Sequence, residues 1–326
     1  MRFIALAGCS LLLSACGAGL GASAVQAPTT ETAISRNVAP DRSKPLLYVV
    51  NNQASTVTAY RAGGRGNLAP AISISGSNTQ LSTPINLALN AKGKTFVTNL
   101  GSNAVTEYAA DANGNVAPVA TITCGGLDSP DGVALDDAGN IYVANLQANS
   151  ISIFKKNANG CVAKTHGLSG PKTQLSTPAA MLISGSRLFV GNIGSHSVTE
   201  YRISARGNAA PSAQIAGGNT MLVNPTGLAL DLAQNLYVAD DSAQAIFVFG
   251  TGASGNQSPI RTIQGSLTQL ASPSGIVLKG GSIVVTDPET NSITSYPEMA
   301  NGNVSPSKVI EGPSTGLNFP IGLALR

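Results

Sequence analysis

Short segments in which hydrophobic and polar residues alternate recur along the chain between residues 46 and 326. Six of them end in Asn or Asp at intervals of 46 to 48 residues: Asn51, Asn99, Asn145, Asn192, Asp240 and Asp287. Each is followed by a second alternating segment, a Gly-centred turn, a third segment, and a proline that opens a short apolar run: Pro84, Pro130, Pro178, Pro225, Pro273 and Pro320. Four short strands per unit, joined by Gly, Asn and Asp turns, are typical of a β-propeller blade.

The order of segments at the two ends of the repeat region predicts how the blades close into a ring. The chain enters the repeat at Leu46 with the segment that ends in Asn51, and it finishes with the apolar run Pro320–Arg326 that opens every other unit. We therefore predict an all-β fold, a six-bladed β-propeller of four-stranded blades in which the C-terminal strand joins the N-terminal three strands. Such closure removes the open sheet edge of a linear array.

Composition and charge narrow the class of protein. The chain of 326 residues is 43% hydrophobic but only 11% charged, with 36 Gly and 18 Pro. This excludes a solvated disordered chain and a charged coiled coil, since average domains carry about 25% charge. The formal net charge is +3, and no run of Lys or Arg is longer than Lys155-Lys156. We expect no nucleic-acid partner, because a basic stripe is the footprint of such binding.

The N-terminal segment is typical of a targeting signal. An apolar run from Phe3 to Leu13 follows one basic residue and is too short to span a bilayer. It leads into Leu-Ser-Ala-Cys16, which resembles the bacterial lipobox and implies lipidation of Cys16. Cys9 also fits the pattern but follows a shorter apolar run, and an ordinary secretory signal is the alternative. We predict a signal peptide at 1–15, a lipidated Cys and flexible tether at 16–45, and the propeller at 46–326.

These features predict an exported protein that is anchored to the cell envelope through its lipid. Gly17, not Asp, follows the modified Cys, and in enteric bacteria this resembles sorting to the outer membrane. The membrane is thus one expected partner. We further expect a monomer, with a protein or small-molecule partner at the rim of the central channel.

One stretch of the repeat resembles a known family. Pro130–Phe154, PDGVALDDAGNIYVANLQANSISIF, is similar to the NHL repeat, and Pro225–Asp240 matches nearly as well. The resemblance implies that the run after each proline is the innermost strand of its blade. It does not imply one activity, since NHL-like proteins include RNA-binding modules, an amidating lyase, antibiotic ring-opening lyases, gluconolactonase-like enzymes and exported proteins of no assigned role.

In propellers of this kind, one rim of the channel carries the residue after each proline and the turn after the next strand. These positions supply candidate oxygen ligands for Ca²⁺ or Mg²⁺: Asp131, Asp240, Asp241, Asp287, Asn99 and Asn145. The alternative is that the recurring Asn or Asp forms the turn by accepting hydrogen bonds from backbone amides. Candidate catalytic residues are Asp131 and His196, which follows Asn192 in its turn.

Two classes of function remain open at this point. The first is a surface-anchored binding or scaffold module. The second is a hydrolase or lyase in the channel mouth, lactonase-like or antibiotic-lyase-like, that uses a divalent cation. A lactonase is less favoured, because no post-proline position carries the glutamate found in gluconolactonase-like sites. A zinc enzyme with several His ligands is also disfavoured, because the chain has two histidines.

Cys124 and Cys161 remain in the predicted propeller. Exported proteins oxidise paired cysteines. However, Cys161 directly follows the turn residue Gly160, whereas Cys124 lies ten residues past the equivalent Gly114. At about 3.3 Å per residue, the two would differ in height by roughly 20–30 Å, and a disulfide needs Cα atoms within about 7 Å. We therefore predict two free thiols.

Overall fold

The computed structural model describes residues 45–326. The signal peptide, the lipidation of Cys16 and the tether up to residue 44 lie outside the described residues. Over the described range the chain forms 24 strands and three short 3-10 helices, Ser77–Thr79, Pro171–Thr173 and Gly218–Thr220. In this part of the chain, no helix has the length and apolar character needed to cross a membrane.

The strands form six four-stranded antiparallel sheets, which are the blades. From the channel outward, blade 1 contains β24 (Pro320–Leu325), β1 (Leu46–Asn51), β2 (Thr56–Arg61) and β3 (Ile72–Ile74). Blade 2 contains β4 (Pro84–Leu89), β5 (Thr95–Asn99), β6 (Ala104–Tyr108) and β7 (Ala120–Ile122). Blade 3 contains β8 (Pro130–Leu135), β9 (Ile141–Asn145), β10 (Ser150–Phe154) and β11 (His166–Ser169).

The other three blades have the same order of strands. Blade 4 contains β12 (Pro178–Ser184), β13 (Arg187–Asn192), β14 (Ser197–Arg202) and β15 (Ala213–Ile215). Blade 5 contains β16 (Pro225–Leu230), β17 (Leu236–Asp240), β18 (Ala245–Phe249) and β19 (Arg261–Gln264). Blade 6 contains β20 (Ile276–Lys279), β21 (Ser282–Asp287), β22 (Ser292–Pro297) and β23 (Lys308–Ile310). The prediction of an all-β six-bladed propeller is confirmed.

The C-terminal strand closes the ring, as the phase of the repeat predicts. β24 pairs antiparallel with β1, with Leu47 opposite Leu325 and Val49 opposite Leu323. Reciprocal backbone hydrogen bonds of 3.0 Å between Leu46 and Arg326 extend the pairing to the last residue. The inner strands contact one another in sequence around the channel, from β24 through β4, β8, β12, β16 and β20 back to β24.

The core lies between the blades. Six clusters of buried apolar side chains each combine residues from adjacent blades, because a sheet buried on both faces must pack against both neighbours. Buried tyrosines add polar contacts between blades. For example, the Tyr60 hydroxyl donates to the Thr315 carbonyl at 2.6 Å, and the Tyr108 hydroxyl donates to the Thr79 carbonyl at 2.5 Å. The interior is therefore continuous around the ring.

A repeated contact joins the outer strand of each blade to the turn of the next. Ile74 at the end of β3 pairs in parallel with the turn glycine Gly114 of blade 2. The following residue, Asn115, accepts a hydrogen bond from the Asn78 amide at 2.8 Å. A Cβ atom on Gly76 would stand 2.5 Å from Cγ of Asn115, so this Gly and this Asn touch directly. The same arrangement recurs at four other junctions, where Gly170, Gly217, Gly265 and Gly312 meet Asn208, Asn256, Asn303 and Asn67.

At the junction of blades 2 and 3, a disulfide takes the place of the Gly–Asn contact. Cys124 occupies the position of Gly76, Cys161 occupies the position of Asn115, and their Cα atoms lie 4.7 Å apart. The prediction of two free thiols is wrong. It treated the ten residues from the turn to Cys124 as one extended strand, whereas the turn glycine Gly160 lies beside Ile122 of the preceding blade. The two cysteines therefore stand at the same height.

Candidate functional site

The Asn residues that end the second strand of a blade are turned into the blade. Asn99 and Asn145 are fully buried. Asn99 Oδ1 accepts from the Ser82 amide at 3.0 Å, and its Nδ2 donates to Thr106 Oγ1 at 3.0 Å. Asn145 makes the equivalent contacts with the Asp128 amide and Ser152 Oγ. These side chains hold the turns together, which agrees with the turn-forming alternative.

The two aspartates at the same position are also engaged by backbone amides. Asp240 accepts from the amides of Val223, Asn224 and Ala243 at 2.8 to 3.0 Å. Burial raises the pKa of Asp240, these three amides lower it, and the neighbouring Asp241 raises it further. Asp287 accepts three backbone amides as well, from Ala271, Ser272 and Thr290. Neither carboxylate lines the channel mouth.

The structure does not assemble the six candidate ligands into one metal site. Of the six, only Asp131 and Asp241 line the mouth cavity. Among residues 45–326, no three His, Cys, Asp or Glu side chains lie close enough to hold a metal ion. The two carboxylates at the mouth therefore do not form an all-protein cage for Ca²⁺, which takes six to eight oxygen ligands.

His196 lies in an exposed turn and does not line the mouth. Its Nδ1 donates to the carbonyl of Val223, in the segment that leads into the next blade. Asn103 and Gln244 make the same kind of contact, with the carbonyls of Leu127 and Ala271. The histidine is thus one version of a repeated connection between blades, and of the two candidate catalytic residues only Asp131 lines the mouth.

The channel mouth is a cavity of about 190 Å³. Post-proline residues from all six inner strands contribute to it, together with turn residues of three blades and side chains near the last strand. The lining residues are Ile85, Asn86, Asp131, Ala179, Ile193, Thr226, Asp241, Ser272, Ser274, Pro288, Phe319 and Ile321. Six of these residues are thus apolar and six carry a hydroxyl, amide or carboxylate group, and a mixture of apolar walls with placed polar groups is typical of a small-molecule pocket.

Three features place Asp131 in this mouth. Pro130 pairs with Asn145 and Val133 with Val143, so β8 carries one extra residue, a β-bulge that re-aims the side chains there. Thr98 Oγ1 of blade 2 donates to the backbone carbonyl of Asp131 at 2.5 Å. Gly132 allows the next inner strand to approach, since a Cβ atom there would stand 2.1 Å from the Ala179 carbonyl oxygen. Rigid inner strands therefore hold the carboxylate.

Asp131 differs from the other carboxylate of the mouth. The Asp241 carboxylate accepts a hydrogen bond from Ser272 Oγ at 2.7 Å. The side chain of Asp131 is partly buried and makes no hydrogen bond or ion pair with any of residues 45–326. Burial raises the pKa of Asp131 to about 7, because the ionised form is poorly solvated there. A carboxylate with this pKa can bind a cation or exchange a proton near neutral pH.

Beyond the mouth, the channel continues as a second cavity of about 390 Å³. The two cavities adjoin, since Asn86 and Thr226 line both. The larger cavity is lined by inner-strand residues that are almost all aliphatic, among them Leu135, Leu182 and Val277, and none of them is charged. Sequence reasoning singled out the post-proline position but missed this section. The apolar run of Leu, Val, Ile and Ala after each proline was the sequence feature that could have predicted this cavity. An inner strand stands with its edge toward the channel, so consecutive side chains each contribute to the channel wall.

Sequence reasoning also missed residues that other loops bring to the mouth. Asn86 stands where four of the six units have Gly, and it lines both cavities. Ser272 precedes the proline of its unit and reaches Asp241 of the blade before it. The departure of Asn86 from the repeat was visible in the sequence, whereas the contact of Ser272 depends on how two blades are packed.

Comparisons with known proteins establish the fold. No protein-family model and no curated protein sequence matches the chain. A chain of the crystal structure of the nidogen/laminin complex is 15% identical, with a TM-score of 0.61 and a match that covers 86% of this chain and 98% of that chain. The structure of streptogramin B lyase is 15% identical, with a TM-score of 0.53 and coverage of 86% and 91%.

A third similar structure is that of a catalytically inactive histidine-to-alanine variant of virginiamycin B lyase from Staphylococcus aureus with quinupristin. It is 13% identical, with a TM-score of 0.52 and coverage of 78% of this chain and 82% of that chain. At such identities the likeness shows a shared fold alone. The fold and the site thus define a six-bladed β-propeller with an acidic channel mouth of mixed apolar and polar residues.

Proposed function

We propose that this protein is an exported, lipid-anchored binding module of the cell envelope that takes its ligand at the mouth of the central channel. The observation that carries the proposal is the Asp131 carboxylate, held by rigid inner strands in a pocket of mixed apolar and polar residues, with no side-chain partner among the described residues. A partly buried carboxylate without a partner lowers stability, and a bound ligand that pairs with it would offset this cost. The nidogen/laminin neighbour is a propeller found in a protein complex, which is consistent with a binding role.

The disulfide supports export. Structural disulfides form in oxidising compartments and are rare in the cytosol of most organisms. The bond between Cys124 and Cys161 joins two blades in the part of the chain that the structure describes. Together with the lipobox-like sequence before Cys16, it supports an exported lipoprotein. The proposal also takes the propeller to be NHL-like and monomeric, carried by the outer membrane and without a nucleic-acid partner.

Isolation of partners from the native envelope tests the mouth as the binding site. Wild type and two tryptophan variants would be compared after their melting temperatures show that all three fold. Ile85→Trp fills the mouth, whereas Leu232→Trp changes a fully exposed residue in the hairpin between β16 and β17, which does not line the mouth. We expect the bound molecules, identified by mass spectrometry, to be lost with Ile85→Trp only. Equal recovery with both variants would rule out the mouth.

A second candidate function is a hydrolase or lyase reaction in the same mouth. The observation in its favour is the pKa of about 7 for Asp131, which suits a general acid or base near neutral pH. Two of the structural neighbours are lyases. Incubation with quinupristin and with simple lactones, followed by mass spectrometry, tests it with Ca²⁺, Mg²⁺ or Zn²⁺ added. Turnover by wild type that is lost in Asp131→Asn would establish catalysis.

A further inference from the structure

The ligand chemistry can be read from the charges around the two adjoining cavities. The charged side chains that line them are Asp131 and Asp241, and neither cavity has a Lys, Arg or His among its lining residues. The mouth is therefore negative, although the whole chain has a formal net charge of +3. A site of this sign attracts cations and repels carboxylates and phosphates.

Of the two carboxylates, Asp131 is the one whose side chain has no hydrogen-bond partner among the described residues. Asp241 already accepts the Ser272 hydroxyl, and its turn neighbour Asp240 accepts three backbone amides. The backbone carbonyl of Asp131 accepts a hydrogen bond from Thr98, but its side-chain oxygens accept none from residues 45–326. A single open carboxylate suits an ammonium group, which needs one or two acceptors, better than a bare metal ion, which needs several.

The aliphatic cavity below the mouth defines the other end of the ligand. It is about 390 Å³, within the range of about 300–1,000 Å³ that is typical of small-molecule sites. Its walls combine Leu, Ile, Val and Ala side chains of the inner strands, such as Leu182, Leu230 and Val277, with polar groups of Asn86, Thr226 and the backbone. An apolar chain that enters this space loses contact with water and gains contacts with the walls, which favours binding.

We propose that the channel binds a small organic ammonium compound whose charged nitrogen pairs with Asp131 and whose aliphatic body lies in the cavity lined by Leu182, Leu230 and Val277. This inference rests on the proposed function and names the class of its ligand. Asn86 and Thr226, which line both cavities, mark the place where the head of the ligand meets its body.

Calorimetric titration of the folded protein with four probes tests the two halves of the proposal. The probes are hexylammonium, with charge and body; methylammonium, with the charge alone; hexanol, with the body alone; and hexanoate, with the opposite charge. We expect hexylammonium to bind most tightly. Asp131→Asn should weaken hexylammonium binding by about tenfold or more, the loss of a charge-assisted contact, and leave hexanol unaffected.

Two further variants provide a control for charge and a test of the aliphatic cavity. Asp137→Asn makes the same change of charge on the exposed hairpin of the same blade and should bind hexylammonium as wild type does. Val277→Thr keeps the side-chain shape but adds a hydroxyl to the aliphatic cavity, and it should weaken hexylammonium and hexanol in parallel. Melting temperatures confirm that each variant is folded.

The outcomes separate this inference from the proposed function. If hexanol or hexanoate binds as tightly as hexylammonium, or if Asp131→Asn binds hexylammonium as wild type does, the ammonium class is wrong. Failure of all four probes to bind is also against it. In each of these cases, loss of native partners with Ile85→Trp would still uphold the channel mouth as a binding site, and retention of those partners would overturn both.

Discussion

Cys124 and Cys161 form a disulfide, with their Cα atoms 4.7 Å apart, at the positions where the other five blade junctions place a Gly against an Asn. The covalent bond therefore replaces a contact that the rest of the ring makes with a hydrogen bond. The loop of this junction is also two residues shorter between its outer strand and Pro130 than the loop before Pro84. The disulfide thus joins the junction at which the repeat is least regular.

Removal of this bond should destabilise the propeller measurably. The double variant Cys124→Ser with Cys161→Ser should lower the free energy of unfolding by about 2–4 kcal/mol, since the bond closes a loop with a sequence separation of 37. Cys124→Gly with Cys161→Asn should recover about 1 kcal/mol by restoring the hydrogen bond of the other junctions. Urea unfolding of both variants and of reduced wild type measures this. Equal stability of oxidised wild type and the Ser variant would contradict it.

The last strand should be essential for the fold. Deletion of Pro320–Arg326 removes the inner strand of blade 1 and leaves β1 with an open edge. Each buried apolar side chain lost costs about 1.5–3 kcal/mol, and several together approach the whole stability of a domain. We expect the truncated chain to be unfolded or to melt far below wild type, by circular dichroism. Deletion of residues 17–35 is the control and should leave the melting temperature within a few degrees.

Asp131 should make stability depend on pH. The unfolded chain releases this proton near pH 4, whereas burial raises the pKa of Asp131 in the folded protein to about 7. The folded state therefore holds more protons between these values, and the free energy of unfolding falls as pH rises from 4 to 7. Asp131→Asn should remove this fall.

The size of the pH effect is modest. Each pKa unit is worth about 1.4 kcal/mol, and water that reaches the partly exposed carboxylate reduces the total to about 1–2 kcal/mol. At pH 8 the Asp131→Asn variant should be more stable than wild type by that amount, and at pH 4 the two should agree. Urea unfolding at both values measures the difference, with Asp137→Asn as the control. Parallel profiles for wild type and Asp131→Asn would show that Asp131 titrates normally.

Gly132 should be indispensable for the close approach of two inner strands at the mouth. In Gly132→Ala the new methyl group would meet the Ala179 carbonyl oxygen at 2.1 Å, so β8 and β12 must separate. We expect a loss of about 2 kcal/mol or more in the free energy of unfolding. Gly218→Ala is the matched control, since no atom lies within 4 Å of the added group. Equal thermal unfolding curves for both variants would mean that the ring can relax at no cost.

Membrane anchoring through Cys16 can be tested independently of the structure. Cys16→Ser should release the protein from the membrane fraction, while Cys9→Ser should leave it bound, because the longer apolar run precedes Cys16. Fractionation with immunoblotting shows the location, and mass spectrometry of the N-terminal peptide identifies the modified residue. A mature chain that begins at any residue other than Cys16 is incompatible with the prediction.

The amino-acid sequence by itself determined the number of blades, the order of their strands and the closure by Pro320–Arg326. These features follow from local pattern, because each unit of 46 to 48 residues repeats the same alternation and the same turns. The sequence also indicated that Asp131 is the one post-proline carboxylate and that the Asn and Asp residues at strand ends form turns. Periodicity along the chain carries all of this information.

Only the tertiary structure decided how neighbouring blades meet. The separation of Cys124 and Cys161 was predicted from the number of residues between each cysteine and its turn glycine. In the structure the turn of one blade lies against the outer strand of the blade before it, and this places the two cysteines together. Packing of the blades also decides that no donor from residues 45–326 reaches the Asp131 carboxylate. The channel cavity likewise exists only because six inner strands face one axis. Contacts between blades depend on the angle and height at which sheets pack, and no periodicity within one unit encodes these.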